Sequence, residues 1–367
     1  MSSDRAPATP ARKPGAWPLA GGLIAGTVAD ALLGDPRRGH PVALFGTAAR
    51  MLEDCLYAPN RARGAIFTAC GLALATGPAV VASRTCRDRP AARLALTTAC
   101  TWTVIAPRSL AREAERVRQA LMADDIQAAR HMLPGLCGRD PGQLSKTQIA
   151  SAVIESVAEN SRDAIVAPLL WGALADDPGL TAYRAVNTLD AMVGHRTPRH
   201  ERFGWASARL DDTANWAPAR LTALLAAACA PVVDGQPGLA WRAARAYGPL
   251  HPSPNAGWCE AAFAGALGVR LGGPVRYGGR TESRPVLGAG RPPEPADIRR
   301  AIRLSRAVTA AAAGAAAAVA LALDPPAARL DSATRRGPPL AVASSATRCR
   351  DGRRARPRAR PGRRPSS

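Results

Sequence analysis

The sequence predicts an all-α, polytopic helical membrane protein with amphipathic helices outside the bilayer and a disordered, basic C-terminal tail. One observation is a set of apolar runs that approach the roughly 20 residues a helix needs to cross a bilayer. A second is a stretch after residue 107 in which apolar residues recur at helical spacing among Arg and Glu. The third is the segment 331–367, which has eleven arginines, two aspartates and almost no apolar pattern.

Four apolar runs are predicted to be membrane spans within one helical domain, 16–330, that follows a disordered leader at 1–15. In chain order the predicted spans are 17–33, 65–83, 91–107 and 307–323. Arginines between the second and third spans favour a tight turn, so these two are predicted to form a hairpin. Three shorter apolar runs allow more than one interpretation. Each is either a re-entrant segment, an interfacial segment or part of a span that neighbouring sequence completes; they are 164–174, 221–233 and 261–271.

A polar helical insert outside the bilayer is predicted for 108–163. Its first part places Leu110, Ala114, Val117 and Leu121 one helical turn apart among charged residues. That spacing predicts an amphipathic helix with one buried face.

The net charge of +21 favours an anionic partner at first sight. Two observations weaken this inference. Lys13 and Lys146 are the only lysines, which indicates a compositional bias towards Arg, and a large share of the net charge lies in the 331–367 tail. The chain has no nucleic-acid reader motif, so no nucleic-acid partner is predicted. Its eight cysteines form no CxxC pair and no Cys/His cluster, so no zinc site is predicted.

Three polar blocks lie against apolar sequence and are predicted to form one site: 154–168, 187–220 and 251–273. In the first block, Glu155, Glu159 and Asp163 fall at i, i+4 and i+8, so a helix would carry three acids on one face, beside Asn160. Such a row holds a cation or a basic group of a substrate. It is equally typical of an exposed acidic face.

The second block concentrates acids, amides and arginines. Asn187 and Asp190 are one helical turn apart, and Asp211 and Asn215 share a helix face. Arginine is suited to bidentate binding of phosphate or carboxylate, and the remaining charged residues of this block are Arg209, Asp212 and Arg220. The alternative is a set of structural ion pairs that closes a loop.

The third block is a proline-stiffened loop, HPSPNAGW, followed by an apolar helix that contains Glu260. We expect it to present His251, Ser253 and Asn255 at the start of that helix, where free backbone N–H groups bind anions. A capping loop with a surface histidine is the alternative. Phosphate-loop, dinucleotide and nucleophile-elbow motifs are all absent from the sequence.

These blocks resemble the CobD/CbiB family, the integral membrane adenosylcobinamide-phosphate synthases of cobalamin biosynthesis. The resemblance extends in order from Gly22 to Leu323. It is carried by GDPRRGHPV, VIESVAENSRDAIVAPL, AVNTLDAMVG, FGWASARLDDTANWAPARLTALL and HPSPNAGWCEAAFAGALGVRLGGPVRYGG. Members of the family end soon after the last apolar segment, whereas this chain continues into the Arg/Pro-rich 331–367 segment.

The resemblance implies an ATP-dependent acid–amine ligase in the cell membrane. Its expected reaction joins (R)-1-amino-2-propanol or its O-phosphate to a carboxylate of adenosylcobyric acid, with ATP as co-substrate and Mg²⁺ as the ion. The lipid bilayer and other enzymes of the corrinoid pathway are the expected partners. A membrane transport or sensing protein without catalytic activity is the alternative, although no internal repeat is visible.

Combined with the resemblance, the blocks give a hypothesis for the site. The residues expected to contact metal or amine are Glu155, Glu159, Asp163, Asp190, Asp211 and Asp212, with Mg²⁺ assigned to Glu155, Glu159, Asp211 and Asp212. The residues expected to bind substrate are Asn160, Asn187, Arg209, Asn215, Arg220, His251, Ser253, Asn255 and Glu260.

Overall fold

Helices account for nearly all of the regular structure in the computed structural model, as the sequence predicts. The structure describes residues 16–36, 39–138, 140–195, 197–277 and 280–323, so the predictions for 1–15 and 331–367 lie outside the described residues. The α-helices of the described part are, in chain order, α1 Trp17–Leu33, α2 Pro41–Leu56, α3 Arg61–Thr85, α4 Pro90–Val104, α5 Pro107–Met122, α6 Ile126–Met132, α7 Lys146–Ser161, α8 Ala167–Val193, α9 Trp205–Ala214, α10 Trp216–Cys229, α11 Pro237–Tyr247, α12 Ala256–Leu267 and α13 Pro295–Ala322.

Polar side chains and prolines define where several helices begin. Asn60 accepts the N–H of Arg63 and caps α3, and Ser145 with Gln148 forms a capping box at α7. Proline occupies the first turn of α2, α4, α5, α11 and α13, where its missing N–H removes no intrahelical hydrogen bond. The helix boundaries therefore follow local signals in the sequence.

The main core forms around α7, which is buried on nearly all sides. Ile149, Val153 and Ile154 are fully buried, and α7 packs against α13, α12 and α5. On α5 the predicted stripe of Leu110, Ala114, Val117 and Leu121 is the buried face, which confirms the amphipathic helix. The predicted insert 108–163 thus contains the amphipathic helix α5, the short helix α6 and the core helix α7.

Three helical segments are long and apolar enough to cross a membrane: α3, α13, and Trp216–Val233, which joins α10 to a 3₁₀ turn. The helix α3 contains the predicted span 65–83, and α13 contains the predicted span 307–323 except for its last residue. The helix α1 matches the predicted 17–33 as a shorter apolar helix. The predicted 91–107 is divided between α4 and α5. The helix α4 packs chiefly on α1 and only slightly on α3. The predicted hairpin of α3 and α4 is therefore not an isolated unit.

The α8 helix is broken near its middle. Ala175 and Asp176 leave helical geometry, and Asp176 has a φ of +63° that residues other than glycine rarely adopt. Pro178 restarts the helix two residues later. The second half of α8 carries Tyr183, Asn187 and Asp190.

A two-stranded antiparallel hairpin, which the all-α prediction does not include, follows α12. Its strands are β1 Leu271–Tyr277 and β2 Arg280–Leu287. Gly272 has a φ of +81°, and its Cα lies so close to the Pro285 carbonyl that a Cβ atom would be 2.3 Å from that oxygen. The base of the hairpin packs on α7 and α12.

Candidate active site

The junction between α7 and α8 is the centre of the candidate site, and the chain passes through it in a π-helical turn, Arg162–Val166. Pro168 follows this turn and has no N–H to donate to the Ala164 carbonyl. The N–H of Ala106 donates to that carbonyl instead, over 3.2 Å. Single π turns shift side chains out of α-helical register and are frequent at functional sites.

Arg162 and Asp163 form a bidentate ion pair at this turn. Nε and Nη2 of Arg162 donate to Oδ1 and Oδ2 of Asp163 over 2.7 and 2.8 Å, and Arg162 is only 6% exposed. Burial alone would lower the pKa of Arg162, but the charge and hydrogen bonds of Asp163 outweigh it and raise that pKa well above its ordinary value. Nη1 of Arg162 has no hydrogen-bond partner among the described residues. A buried, permanently charged donor is therefore available to an anionic ligand.

A line of hydrogen bonds connects Asp163 to Asp211 across three helices. The Tyr183 hydroxyl lies 3.1 Å from Asp163 Oδ1 and 2.8 Å from Asn215 Oδ1, and Asn215 Nδ2 donates to Asp211 Oδ2 over 3.0 Å. Tyr183 and Asn215 are buried. The line fixes two carboxylates from separate sequence blocks in one orientation.

Asp211 and Asp190 are carboxylates in an unfavourable place for negative charge. Burial, together with the charges of Asp163 and Asp190, raises the pKa of Asp211 to about 7. Burial and the neighbouring acids Asp212 and Asp163 raise the pKa of Asp190 to about 6, against the opposing effect of His195. Asp211 Oδ1 has no hydrogen-bond partner among the described residues. These groups therefore exchange protons near neutral pH, as a general base must.

The acidic row of the first block is not a solvent-exposed face. Glu155 is 3% exposed, and its Oε1 accepts the Ser151 hydroxyl and the N–H of Gly272, so it attaches β1 to α7. Glu159 is half-buried, and burial with the charges of Asp163 and Glu155 raises its pKa, although Arg162 opposes this. Asn160 donates to the Ser156 carbonyl of its own helix. Glu159 and Asp163 face the centre, while Glu155 and Asn160 make structural contacts.

Arg220 lies between two tryptophan rings. Its guanidinium carbon is 4.8 Å from the ring centres of both Trp216 and Trp258, and Nη1 donates to Asn255 Oδ1 over 2.9 Å. Asn255 also donates from Nδ2 to the carbonyl of Asp212 over 2.8 Å. This contact joins the second and third blocks and holds the guanidinium of Arg220 in place.

The proline loop caps α12 with its own side chains. His251 Nδ1 accepts the N–H of Ser253, and Ser253 Oγ accepts the N–H groups of Asn255 and Ala256. The expected anion site on free N–H groups is therefore not formed by these amides, which corrects that part of the prediction. The histidine is not a surface residue either: its side chain is 5% exposed and its Nε2 lies 3.9 Å from Glu260 Oε1. Burial, with the charge of Arg284, lowers the pKa of His251.

A cavity of about 370 Å³ opens beside this centre. Arg209 and Asp212 of the second block and Pro252 and Pro254 of the third block line it. The other lining residues are Gly194, His200, Glu201, Trp205 and Ala208. Glycine at 194 leaves room for the Asp190 carboxylate, because a Cβ atom would lie 1.8 Å from Asp190 Oδ1 and 2.7 Å from the Asp190 carbonyl oxygen. The cavity is large enough for a small polar substrate and has both charges on its wall.

The structure thus brings most of the predicted residues of the three blocks together, with Asn187 half-buried on α8 one turn before Asp190. Sequence reasoning missed Arg162 and Tyr183. Arg162 stands next to a predicted acid and could have been found as its partner. Tyr183 lies between polar blocks in an apolar run, so no pattern in the sequence indicated it.

Metal binding can be tested against the donor set. The described residues contain no group of three or more His, Cys, Asp and Glu side chains that could hold a metal ion. Glu155, one of the four residues assigned to Mg²⁺, has its Oε1 engaged by Ser151 and Gly272. Asp190, a half-buried carboxylate with Asp212 of the cavity wall as a neighbouring acid, fits the one or two protein carboxylates that Mg²⁺ uses when phosphate oxygens complete its shell.

Comparison with known proteins decides the family. The model of the family described as CobD/Cbib protein matches residues 23–305. This chain belongs to the CobD/CbiB family. The matched range contains all three blocks and every residue of the centre described above.

Similar proteins in three bacteria carry the name cobalamin biosynthesis protein CobD. The protein of Mycobacterium tuberculosis is 50% identical over 294 residues, which is 80% of this chain and 93% of the relative. The protein of Rhodobacter capsulatus is 42% identical, over 74% of this chain and 86% of the relative. The protein of Chromobacterium violaceum is also 42% identical, over 75% of this chain and 88% of the relative. No solved structure matches the chain.

Proposed function

We propose that this CobD/CbiB protein acts in cobalamin biosynthesis as an ATP-dependent acid–amine ligase. The acid is adenosylcobyric acid, the amine is (R)-1-amino-2-propanol or its O-phosphate, and the product is adenosylcobinamide or its phosphate. The observation that carries the proposal is the meeting of three sequence blocks at one buried centre. That centre places proton-accepting carboxylates next to fixed arginines, within a family whose relatives are named for this pathway.

The chemistry requires both kinds of group. A carboxylate does not acylate an amine in water, so its oxygen first attacks the terminal phosphorus of ATP, and ADP leaves. The amine then attacks the carbonyl carbon of the acyl phosphate, loses a proton and expels inorganic phosphate as the C–N bond forms. Arginines stabilise the charge that develops on phosphate, and a base removes the ammonium proton.

The residues of the centre divide between these roles. Asp211, with a pKa of about 7 and a free Oδ1, accepts the proton of the amine. Arg162 presents Nη1 to the acyl phosphate, and Arg209 on the cavity wall binds the phosphate of the second substrate. Arg220, fixed by Asn255 and two tryptophan rings, holds a carboxylate or phosphate at the outer edge.

Mg²⁺ would be held by Asp190 with Asp212, which leaves the free Oδ1 of Asp211 to the amine, and when bound it would neutralise phosphate charge. The charges of Asp212 and Asp163 both disfavour an ionised Asp190, so a cation near this carboxylate stabilises its charged form. We place the protein in the cell membrane as a multi-pass protein, with other corrinoid-pathway enzymes as partners. The three apolar segments support this location.

The test is an isosteric substitution, Asp211→Asn, in the purified full-length protein. Membranes or detergent micelles containing the protein are incubated with adenosylcobyric acid, aminopropanol phosphate or aminopropanol, ATP and Mg²⁺, and the amide is detected by mass. We expect product from the wild type and a loss of about 10²- to 10⁴-fold in rate from Asp211→Asn, because the base is removed.

Asp54→Asn is the matched control, since Asp54 is an exposed acid on α2 outside the three blocks of the sequence. It should keep the full rate. A wild type that makes no amide while a known synthase does so in the same assay would rule out the ligase and favour the transport alternative. Full activity of Asp211→Asn would leave the reaction standing and remove Asp211 as its base.

A further inference from the structure

A second cavity, which we call the apolar groove, opens among α2, α3, α4 and α8 and has a volume of about 390 Å³. Its apolar lining includes Val42, Leu44, Phe45, Leu74, Pro78 and Val104, and its polar lining consists of Thr103, Thr181 and Arg184. Leu44 and Leu74 are 62% and 50% exposed, so the groove is open at the surface of the protein. The proposed ligase centre uses none of these residues.

Arg184 is the one charged residue in the lining of the groove. Both threonines donate their hydroxyls to carbonyls of their own helices, Thr103 to Ala99 and Thr181 to Asp177. Nε of Arg184 is buried and has no hydrogen-bond partner among the described residues. The guanidinium is therefore the polar group of the groove that is left for a ligand.

The charge of Arg184 is not matched at contact distance within the described part of the chain. Asp163 and Asp35 act on the guanidinium from farther away, and Asp163 already forms the bidentate pair with Arg162. Burial lowers the pKa of Arg184, although the neighbouring acids oppose this. A desolvated charge without a paired counter-charge is unfavourable, so the groove favours an anion beside this guanidinium.

We propose that the apolar groove binds one anionic phospholipid, with the phosphate of the lipid on Arg184 and an acyl chain along Leu44, Phe45, Leu74 and Pro78. One guanidinium matches the single negative charge of a phosphate diester. A nucleoside triphosphate carries several negative charges and would leave most of them on apolar walls. Basic pockets between the helices of membrane proteins bind anionic lipid head groups in the same way.

The position of the groove gives a lipid access to it. Leu74 and Pro78 belong to α3, one of the segments long and apolar enough to cross a bilayer, so this step rests on the proposed membrane location. Arg184 directly follows Tyr183, whose hydroxyl lies 3.1 Å from Asp163 Oδ1. The bound head group would therefore connect the bilayer to the part of α8 that carries the ligase centre.

Native mass spectrometry of the purified, delipidated full-length protein tests the proposal without any activity measurement. The protein in detergent is offered equal amounts of dioleoylphosphatidylglycerol and dioleoylphosphatidylcholine. We expect one tightly held phosphatidylglycerol, preferred at least about tenfold, because its head group brings no choline cation next to Arg184 and keeps a charge-assisted hydrogen bond.

Three variants separate the head group from the acyl chain. Arg184→Gln should bring the preference down to about one. Ala75→Phe should lose the tightly held lipid, because Ala75 lines the groove and a phenyl ring would fill it. Arg50→Gln is the matched control, since Arg50 is an exposed arginine on α2 outside the lining, and it should keep the preference.

Three results would overturn the proposal. They are equal retention of the two lipids by the wild type, an unchanged preference in Arg184→Gln, and displacement of the lipid by an equal concentration of glycerol 3-phosphate, which would make the ligand a soluble phosphate. If Arg184→Gln does not fold, an unchanged lipid adduct in Ala75→Phe gives the same decision. The amide assay is read separately, so none of these outcomes decides the ligase reaction.

Discussion

At the scale of single residues, Asp211 shows how burial converts an ordinary acid into a base for neutral pH. Its Oδ2 accepts from Asn215, but desolvation and the charges of Asp163 and Asp190 disfavour its ionised form. An aspartate side chain in water would be fully ionised at neutral pH and too weak a base to accept this proton. The same placement makes activity and stability respond to pH in opposite directions.

We expect the rate of amide formation to rise with pH through about 7, because Asp211 accepts a proton only when it is ionised. Stability should do the reverse. Since the folded-state pKa is raised from 3.8 to about 7, the stabilising contribution is fully present below about pH 4 and lost as the pH rises to 7. Asp190, raised to about 6, acts in the same direction.

Rate profiles and thermal melts of the wild type and Asp211→Asn between pH 5 and 9 measure both effects. The substitution should abolish the acid limb of the rate profile and flatten the fall in stability. An unchanged acid limb in any residual activity would show that another group sets it.

Tyr183 makes a second prediction at this scale. Tyr183→Phe leaves Asn215 Oδ1 without the hydroxyl donor that lies 2.8 Å away, and a buried acceptor without a donor costs about 1 to 3 kcal/mol. We expect the free energy of unfolding to fall by that amount and the rate to fall as well, because Asn215 no longer holds Asp211. Tyr247→Phe, on α11 outside the centre, is the matched control; equal losses in both variants would remove the special role of Tyr183.

At the scale of elements, the sequence predicted helices well where one signal dominated. Pro18 and Gly34 bound the apolar run of α1, so the predicted 17–33 and the observed Trp17–Leu33 agree. The predicted apolar run 221–233 begins after Arg220, because a charged residue interrupts the apolar pattern. The helix α10 instead begins at Trp216 and includes Arg220. The hydrogen bond to Asn255 and the two tryptophan rings account for that arginine inside the segment Trp216–Val233.

The hairpin and the core helix were not predictable in the same way. Leu271–Leu287 is rich in Gly, Arg and Pro, and its pairing depends on a contact that is distant in sequence, the Gly272 N–H to Glu155. The acidic spacing of α7 has two interpretations, and only packing by α13, α12 and α5 distinguishes a buried helix from an exposed one. The residue types of the site were therefore predictable, whereas the partner of each residue required the fold.

Helix contacts also determine which glycines can be replaced. On α3, a Cβ atom at Gly64 would lie 1.8 Å from the Phe203 carbonyl, while Gly77 has nothing within 4 Å. We expect Gly64→Ala to lower the free energy of unfolding by about 1 to 3 kcal/mol, and Gly77→Ala to raise it by up to about 1 kcal/mol through helix propensity. Denaturant melts decide this, and a neutral Gly64→Ala would mean that α3 can move away from residues 194–204.

At the scale of the whole molecule, separate parts of the chain meet at one centre because α8 and α12 each contact α10. Asp163 follows α7, Tyr183 lies on α8, Asp211 on α9 and Asn255 before α12. The family match ends at residue 305, within α13, and thus includes every one of these residues. We expect a chain ending at Leu323 to keep its rate of amide formation, because every residue assigned to the centre precedes the deleted segment. The amide assay described for Asp211→Asn measures the rate of the shortened chain. A loss of activity on deletion would give the segment after Leu323 a role.

A membrane location for the whole molecule makes a prediction about its native cysteines. Cys70 lies within α3, and its residue is exposed on the surface of the protein. If α3 crosses the bilayer, only lipid covers this thiol. Maleimide reacts with the thiolate, which forms in water and not in hydrocarbon, so Cys70 should react at least about tenfold more slowly in vesicles than a thiol in water.

The comparison uses two variants that each keep one cysteine, Cys70 or Cys55, with the others replaced by alanine. Cys55 is exposed near the end of α2, before the start of α3, and should react rapidly in the same vesicles. Both thiols should react equally after denaturation in SDS, which shows that protection comes from the membrane and not from the residue. Rapid labelling of Cys70 in intact vesicles would mean that α3 faces water, and the count of spans would then fall to the segments Trp216–Val233 and Pro295–Ala322.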